Sequence, residues 1–143
     1  MSRLQKLLDK IKNASGPSRE LDAEIASVIG WKVYNYAISG PHVDLPEAYD
    51  LVNAAQVPCP KWTESLDACD KLFRFMFPGY RRSLHNIAYL NGVYQGDGKE
   101  QAIIYHPLSS GGEPKFVGVA ANGALAYLAA ILTALIDLEN KDK

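Results

Sequence analysis

Hydrophobic and polar positions follow two rhythms along this chain, and the longest apolar tract organises the rest. From Gly123 to Leu138 nearly every position is Ala, Leu or Ile. Leu125, Leu128, Leu132 and Leu135 recur at three- and four-residue steps, while Ala126, Ala129, Ala130 and Ala134 fill the faces between them. That spacing predicts one helix with hardly any polar side, and such a helix has to be enclosed by protein. Asn122 and Gly123 supply turn chemistry before it, and Glu139 to Lys143 return the chain to water. The uncharged run from Phe116 to Ile136 approaches the roughly 20 residues of a bilayer span. Gly118, Asn122 and Gly123 interrupt it, and Lys115 to Val119 reads as a strand, so the helix is expected to be too short to cross and no membrane is expected.

Upstream, Leu4, Leu7, Leu8 and Ile11 repeat at helical steps through Ser2 to Ala14, with Arg3, Lys6, Lys10 and Lys12 on the other faces. This basic amphipathic helix is expected to lay its leucine stripe on the domain in preference to reaching for a partner or a membrane surface. Asn13 to Pro17 make a joint, so residues 1–17 are a helix and hinge, and residues 18–143 a single domain. Ser18 caps a second helix, with Glu20 and Asp22 in its first turn, Leu21, Ile25, Val28 and Ile29 on one face, and Gly30 at its end.

Trp31 to Ile38 alternates as a strand with two tyrosines on one half-exposed side, and Ser39-Gly40-Pro41 closes it. His42 to Lys61 reads mostly as surface loop: Pro46 can open a short helix through Asn53, but Pro58 and Pro60 interrupt regular structure around Cys59. Thr63 is the expected cap of a helix from Glu64 to Met76, with Leu66, Cys69, Leu72, Phe73 and Met76 facing inward and Pro78-Gly79 stopping it. Tyr80 to Leu90 is extended, and Asn91-Gly92 is a strong hairpin signal. A second turn at Asp97-Gly98, strands at Val93 to Gln95, Gln101 to Tyr105 and Phe116 to Val119, and a loop from Pro107 to Pro114 complete a meander. The expected fold is α+β, a mostly antiparallel sheet of about five strands with helices packed on it.

Composition narrows this only modestly. The chain has 143 residues, 48% hydrophobic and 22% charged, which suits one domain with a real core. A net charge of −1 argues against a protein built to coat nucleic acid, and no DNA partner is expected. The amino terminus lacks the apolar core of a secretory signal, so a cytoplasm is expected and Cys59 and Cys69 are read as thiols.

Three stretches, taken in order, resemble the landmarks of the phage ABA sandwich domain family. They are Ser18-Arg19-Glu20-Leu21-Asp22-Ala23-Glu24-Ile25-Ala26-Ser27-Val28-Ile29-Gly30-Trp31, then Trp62-Thr63-Glu64-Ser65-Leu66-Asp67-Ala68, and the Ala- and Leu-rich terminal helix. The resemblance covers residues 18–138 and implies a sheet sandwiched by helices in α-β-α layers, in a small protein of phages or prophages. The first helix precedes the resembling region, and Ser39 to Lys61 is longer than the family pattern. Such additions are where a member acquires its own partner. The family brings no catalytic residues.

Candidate chemistry is sparse. Cys59, Cys69, His42, His85 and His106 do not stand at metal-ligand spacings, so no metal or other cofactor is expected. Cys59 has only prolines beside it, which makes it a packed thiol sooner than a nucleophile. Arg81, Arg82 and His85, with the turn Ser109-Ser110-Gly111-Gly112, form the one constellation able to hold a phosphate or carboxylate. Strand alternation puts Arg81 and His85 on one face and Arg82 on the other, and the plain alternative is an arginine pair guarding a sheet. Tyr34, Tyr36 and Tyr80, with Tyr89, Tyr94 and Tyr105, are candidates for an aromatic interface. The expected function is a non-catalytic phage or prophage accessory protein in the host cytoplasm, blocking a host protein or sequestering a small anionic, nucleotide-like signal. The alternative is a virion or assembly component. A homo-oligomer is the expected state.

Overall fold

The order along the chain is α1 (Arg3–Asn13), α2 (Arg19–Val28), β1 (Val33–Tyr36), β2 (Gly40–Asp44), β3 (Gln56–Pro58), α3 (Leu66–Met76), β4 (Arg81–Asn86), β5 (Tyr89–Leu90), β6 (Val93–Tyr94), β7 (Glu100–Tyr105), β8 (Lys115–Ala120) and α4 (Gly123–Lys141). The computed structural model describes residues 2–49, 56–86, 89–90, 93–94, 100–106 and 115–141.

Helix α4 begins where Asn122 Oδ1 accepts the Leu125 amide at 2.7 Å, a side-chain cap for an otherwise orphaned donor. Every residue from Ala124 to Leu132 is buried. Its small side chains let sheet and helix approach closely, and Gly118 of β8 completes the fit: a Cβ there would run into the α4 backbone at Ala126 and Ala130. Helix α1 lies against α4 with Leu7, Leu8 and Ile11 buried, and a Lys10 to Glu24 ion pair of 2.7 Å fastens its solvent side to α2. The expectation of a helix too short to span a bilayer is corrected: from Gly123 to Asn140 α4 is long and apolar enough by length and composition. Helices α1 and α3 and the second sheet pack on it, and 56% of that span is buried.

The strands are corrected as well. In place of one sheet of about five strands there are, among the described residues, two three-stranded antiparallel sheets, β1-β2-β3 and β4-β7-β8, and a two-stranded β5-β6 ladder. The cause lies at Gly40, whose φ of +81° turns the chain back so that Tyr36 faces Gly40 and Val33 faces Val43. The expected loop from His42 onward therefore contains β2 and, at Gln56–Pro58, an edge strand that tolerates Pro58 at its end. Glu47 to Tyr49, after Pro46, form a turn, and the rest of the helix expected through Asn53 lies outside the described residues. The strand expected from Trp31 is shorter: Trp31 packs its ring on Tyr49, Trp62 and Phe75, and Ile38 is fully exposed. The Asn91-Gly92 and Asp97-Gly98 turns lie outside the described residues, although Leu90 pairs with Val93 on either side of the first.

Thr63 is not a cap. Residues Lys61 to Glu64 form a turn, and Ser65 caps α3 through the Ala68 amide at 3.1 Å, which leaves Leu66 facing solvent. Buried Thr63 instead receives the Ser18 amide on its Oγ1 at 2.9 Å and gives its own amide to Asp22 Oδ1 at 2.8 Å. Asp22, also buried, holds Arg19 at 2.7 Å, and Arg19 reaches the Cys59 carbonyl at 2.8 Å. This clamp ties the start of α2 to the segment that leads into α3.

Candidate functional site

Helix α3 ends at Met76, and Phe77-Pro78-Gly79-Tyr80 delivers the chain into β4, with Gly79 at φ +85°, a conformation suited to glycine. This sharp exit sets the carboxyl end of α3 beside the first residues of β4. Between them is an open cleft of about 580 Å³, lined by Asp70, Phe73, Arg74, Phe77, Tyr80, Arg81 and Arg82 among others.

Asp70 is the hub of the cleft. Its Oδ2 accepts from Arg74 Nε at 2.8 Å, one turn on, and its Oδ1 accepts from Arg82 Nε at 3.2 Å and from the Tyr127 hydroxyl at 2.7 Å. Partial burial pushes the Asp70 carboxyl up, but the hydrogen bonds from Tyr127, Arg74 and Arg82 outweigh it and hold the group below the usual carboxylate range. Burial and the bond to Asp70 push the Tyr127 phenol up, so it remains a neutral donor. For Arg82 the pairing with Asp70 outweighs desolvation and strengthens its charge. The Arg82 guanidinium also lies 5.9 Å from the Tyr127 ring centre. Arg81 is exposed and has no carboxylate partner among the described residues.

The alternation read from the sequence holds. Arg82 pairs with buried Ile104 and faces α4, whereas Arg81 pairs with Tyr105 on the opposite face. The two arginines still share one cleft because it sits at the end of the sheet, where both faces are within reach. His85 is four residues along β4, about 13 Å from Arg81 at strand rise, so its backbone position sets it apart from the arginines. Ser109, Ser110, Gly111 and Gly112 lie outside the described residues; the strands they connect end at Tyr105 and begin at Lys115, both in the register row of Arg81.

The aromatic candidates separate. Tyr80 belongs to the arginine cleft, its ring 4.9 Å from Phe77 and 5.2 Å from His106. Tyr34 and Tyr36 stand on the first sheet with rings parallel to within 9° and 6.5 Å apart, their hydroxyls bonded to Asp44 at 2.8 Å and Gln56 at 2.6 Å. Tyr105 is half-buried on the outer face of the second sheet, and the side chains of Tyr89 and Tyr94 lie outside the described residues.

Sequence reasoning missed Asp70, Arg74 and Tyr127. Signals were present: Asp70 and Arg74 stand four apart on a helix, and a tyrosine inside an aliphatic helix has a hydroxyl that needs a partner. Among the described residues no group of three or more His, Cys, Asp or Glu is placed to hold a metal ion. Burial pushes the Cys59 thiol up to about 12, helped by the charge of Asp22, and pushes Cys69 up further, so both are poor nucleophiles. Set beside known protein families, curated proteins and solved structures, the chain matches none.

Proposed function

We propose that this chain is a non-catalytic binding protein that holds a small anionic ligand in the cleft between the end of α3 and the start of β4. The observation that carries this reading is the excess of fixed cation: Arg74, Arg81 and Arg82 line the hollow, and Asp70 is its only carboxylate among the described residues. Guanidinium forks match phosphate and carboxylate oxygens two at a time, and they stay charged at any physiological pH. Phe73, Phe77 and Tyr80 add an apolar wall on which a planar ring can rest. On the resemblance to phage ABA sandwich proteins, the same reading makes the chain an anti-defence factor in a host cytoplasm, withdrawing an anionic signal or blocking a host protein.

The test is to purify the protein from producing cells, denature it, and identify released small molecules by mass spectrometry. A phosphorylated or carboxylated compound is expected from the wild type and not from Arg82→Gln. Recovery of no such compound, together with capture of capsid or tail proteins alone from infected cells, contradicts the reading and favours a virion component.

A further inference from the structure

The face of the second sheet turned away from α4 carries a row of which the cleft uses only Arg81. Arg81 of β4, Tyr105 of β7 and Lys115 of β8 are register partners, so their side chains leave that face in one row. With neighbouring strands about 4.8 Å apart, the backbones of the two cations stand about 10 Å apart, with the Tyr105 backbone position between them. Arg81 and Lys115 are exposed, and the Tyr105 hydroxyl is 3.4 Å from Ser83 Oγ, which tethers the ring across β4. The next row adds Ile103 and Val117, the latter 37% exposed.

Charge on this face is one-sided. Glu100 pairs with Ala120 and lies beside Gly123, on the α4 side, and no other described residue of these strands is acidic. Neither Arg81 nor Lys115 has an ion-pair partner among the described residues. A cation, an aromatic ring and a second cation suit a nucleotide whose base stacks on the ring while the phosphates on either side of its sugar reach the cations, since stacking on a ring suits any base.

We propose that the row Arg81, Tyr105 and Lys115 binds a nucleotide phosphorylated on both sides of its sugar, its base on Tyr105 and its phosphates at Arg81 and Lys115. This chemistry has two sources, a free nucleoside bisphosphate and an internal nucleotide of a single strand. The proposal deepens the anion-binding reading and rests on it through Arg81, which both sites share.

The experiment is calorimetric titration of the full chain with adenosine 3′,5′-bisphosphate, adenosine 5′-monophosphate, a short deoxyadenylate strand and inorganic pyrophosphate. The bisphosphate is expected to bind roughly tenfold more tightly than the monophosphate, about one added phosphate contact. Lys115→Gln should bring the two nucleotides level, and Tyr105→Leu should weaken both, while pyrophosphate binding in the cleft survives each change. A strand that binds more tightly than the bisphosphate, and loses that advantage in Lys115→Gln, supports the row with a single strand as the source. A strand that fails to bind while the bisphosphate does supports a free nucleotide. Equal binding of bisphosphate and monophosphate, or indifference to both substitutions, overturns the row and leaves the cleft standing if pyrophosphate binds. Failure of every phosphate compound overturns both.

Discussion

The Tyr127 hydroxyl donates to Asp70 Oδ1 at 2.7 Å, and this one bond joins the buried helix α4 to the carboxylate at the centre of the cleft. Tyr127 is fully buried, so its hydroxyl depends on that partner. Asp70 in turn draws in Arg74 and Arg82, and the core thereby sets the position of two surface cations.

Asp70 is therefore both positioner and competitor, because an incoming anion must share Arg74 and Arg82 with it. Asp70→Asn keeps a hydrogen-bonding side chain but removes the charge, and pyrophosphate should bind roughly tenfold more tightly, a gain of about 1.4 kcal/mol. Isothermal titration at neutral pH reads this directly. The same carboxyl has a folded pKa below its unfolded value, so it contributes stability above the usual carboxylate range, and that contribution is lost as pH falls through the folded value. Urea midpoints of wild type and Asp70→Asn should thus differ most at neutral pH, the wild type being higher, and converge in acid.

The packing of α4 on β8 has a sharper test. Gly118→Ala forces a methyl into the α4 backbone at Ala126 and Ala130, and the sheet has to move away. A loss of about 3 kcal/mol is expected in urea unfolding, at the upper end for overpacking. An unchanged midpoint would mean that α4 does not lie this close.

Much of this was legible in the sequence for a physical reason. Helices α1, α2 and α4 announce themselves because their apolar residues recur at helical steps and Ser2, Ser18 and Asn122 cap them. In the first sheet β1 was legible but β2 and β3 were not, because β2 starts at Gly40-Pro41 and β3 ends at Pro58, residues that read locally as breaks. Pairing makes them strands, β2 with β1 and β3 with β2. Arg81 and Arg82 stood out as adjacent cations on an extended segment, whereas Asp70 and Tyr127 gain their role from a contact across 57 residues.

The clamp around Asp22 should behave as a unit. Asp22→Ala leaves the buried Thr63 amide without its acceptor and Arg19 with carbonyl partners but no carboxylate, at a cost of about 3 kcal/mol. Thermal or urea unfolding measures it, and Thr63→Ala should cost less, since it removes only the hydroxyl bridge to Ser18.

Cys59 and Cys69 should resist modification in the folded state. Both are buried, and with the Cys59 thiol pushed up to about 12 and Cys69 higher still, almost no thiolate exists at pH 8. Reaction with a thiol reagent should be slow in buffer and complete within mixing time in denaturant. Fast labelling of either cysteine in buffer would place it at the surface.

Titration of inorganic pyrophosphate into the wild type and into Arg81→Gln and Arg82→Gln most directly probes an anion cleft between α3 and β4. The account predicts saturable binding by the wild type that weakens with added salt and drops at least about tenfold in each variant, as expected for loss of a phosphate contact. Binding that is absent in the wild type, or identical in all three proteins, would contradict it.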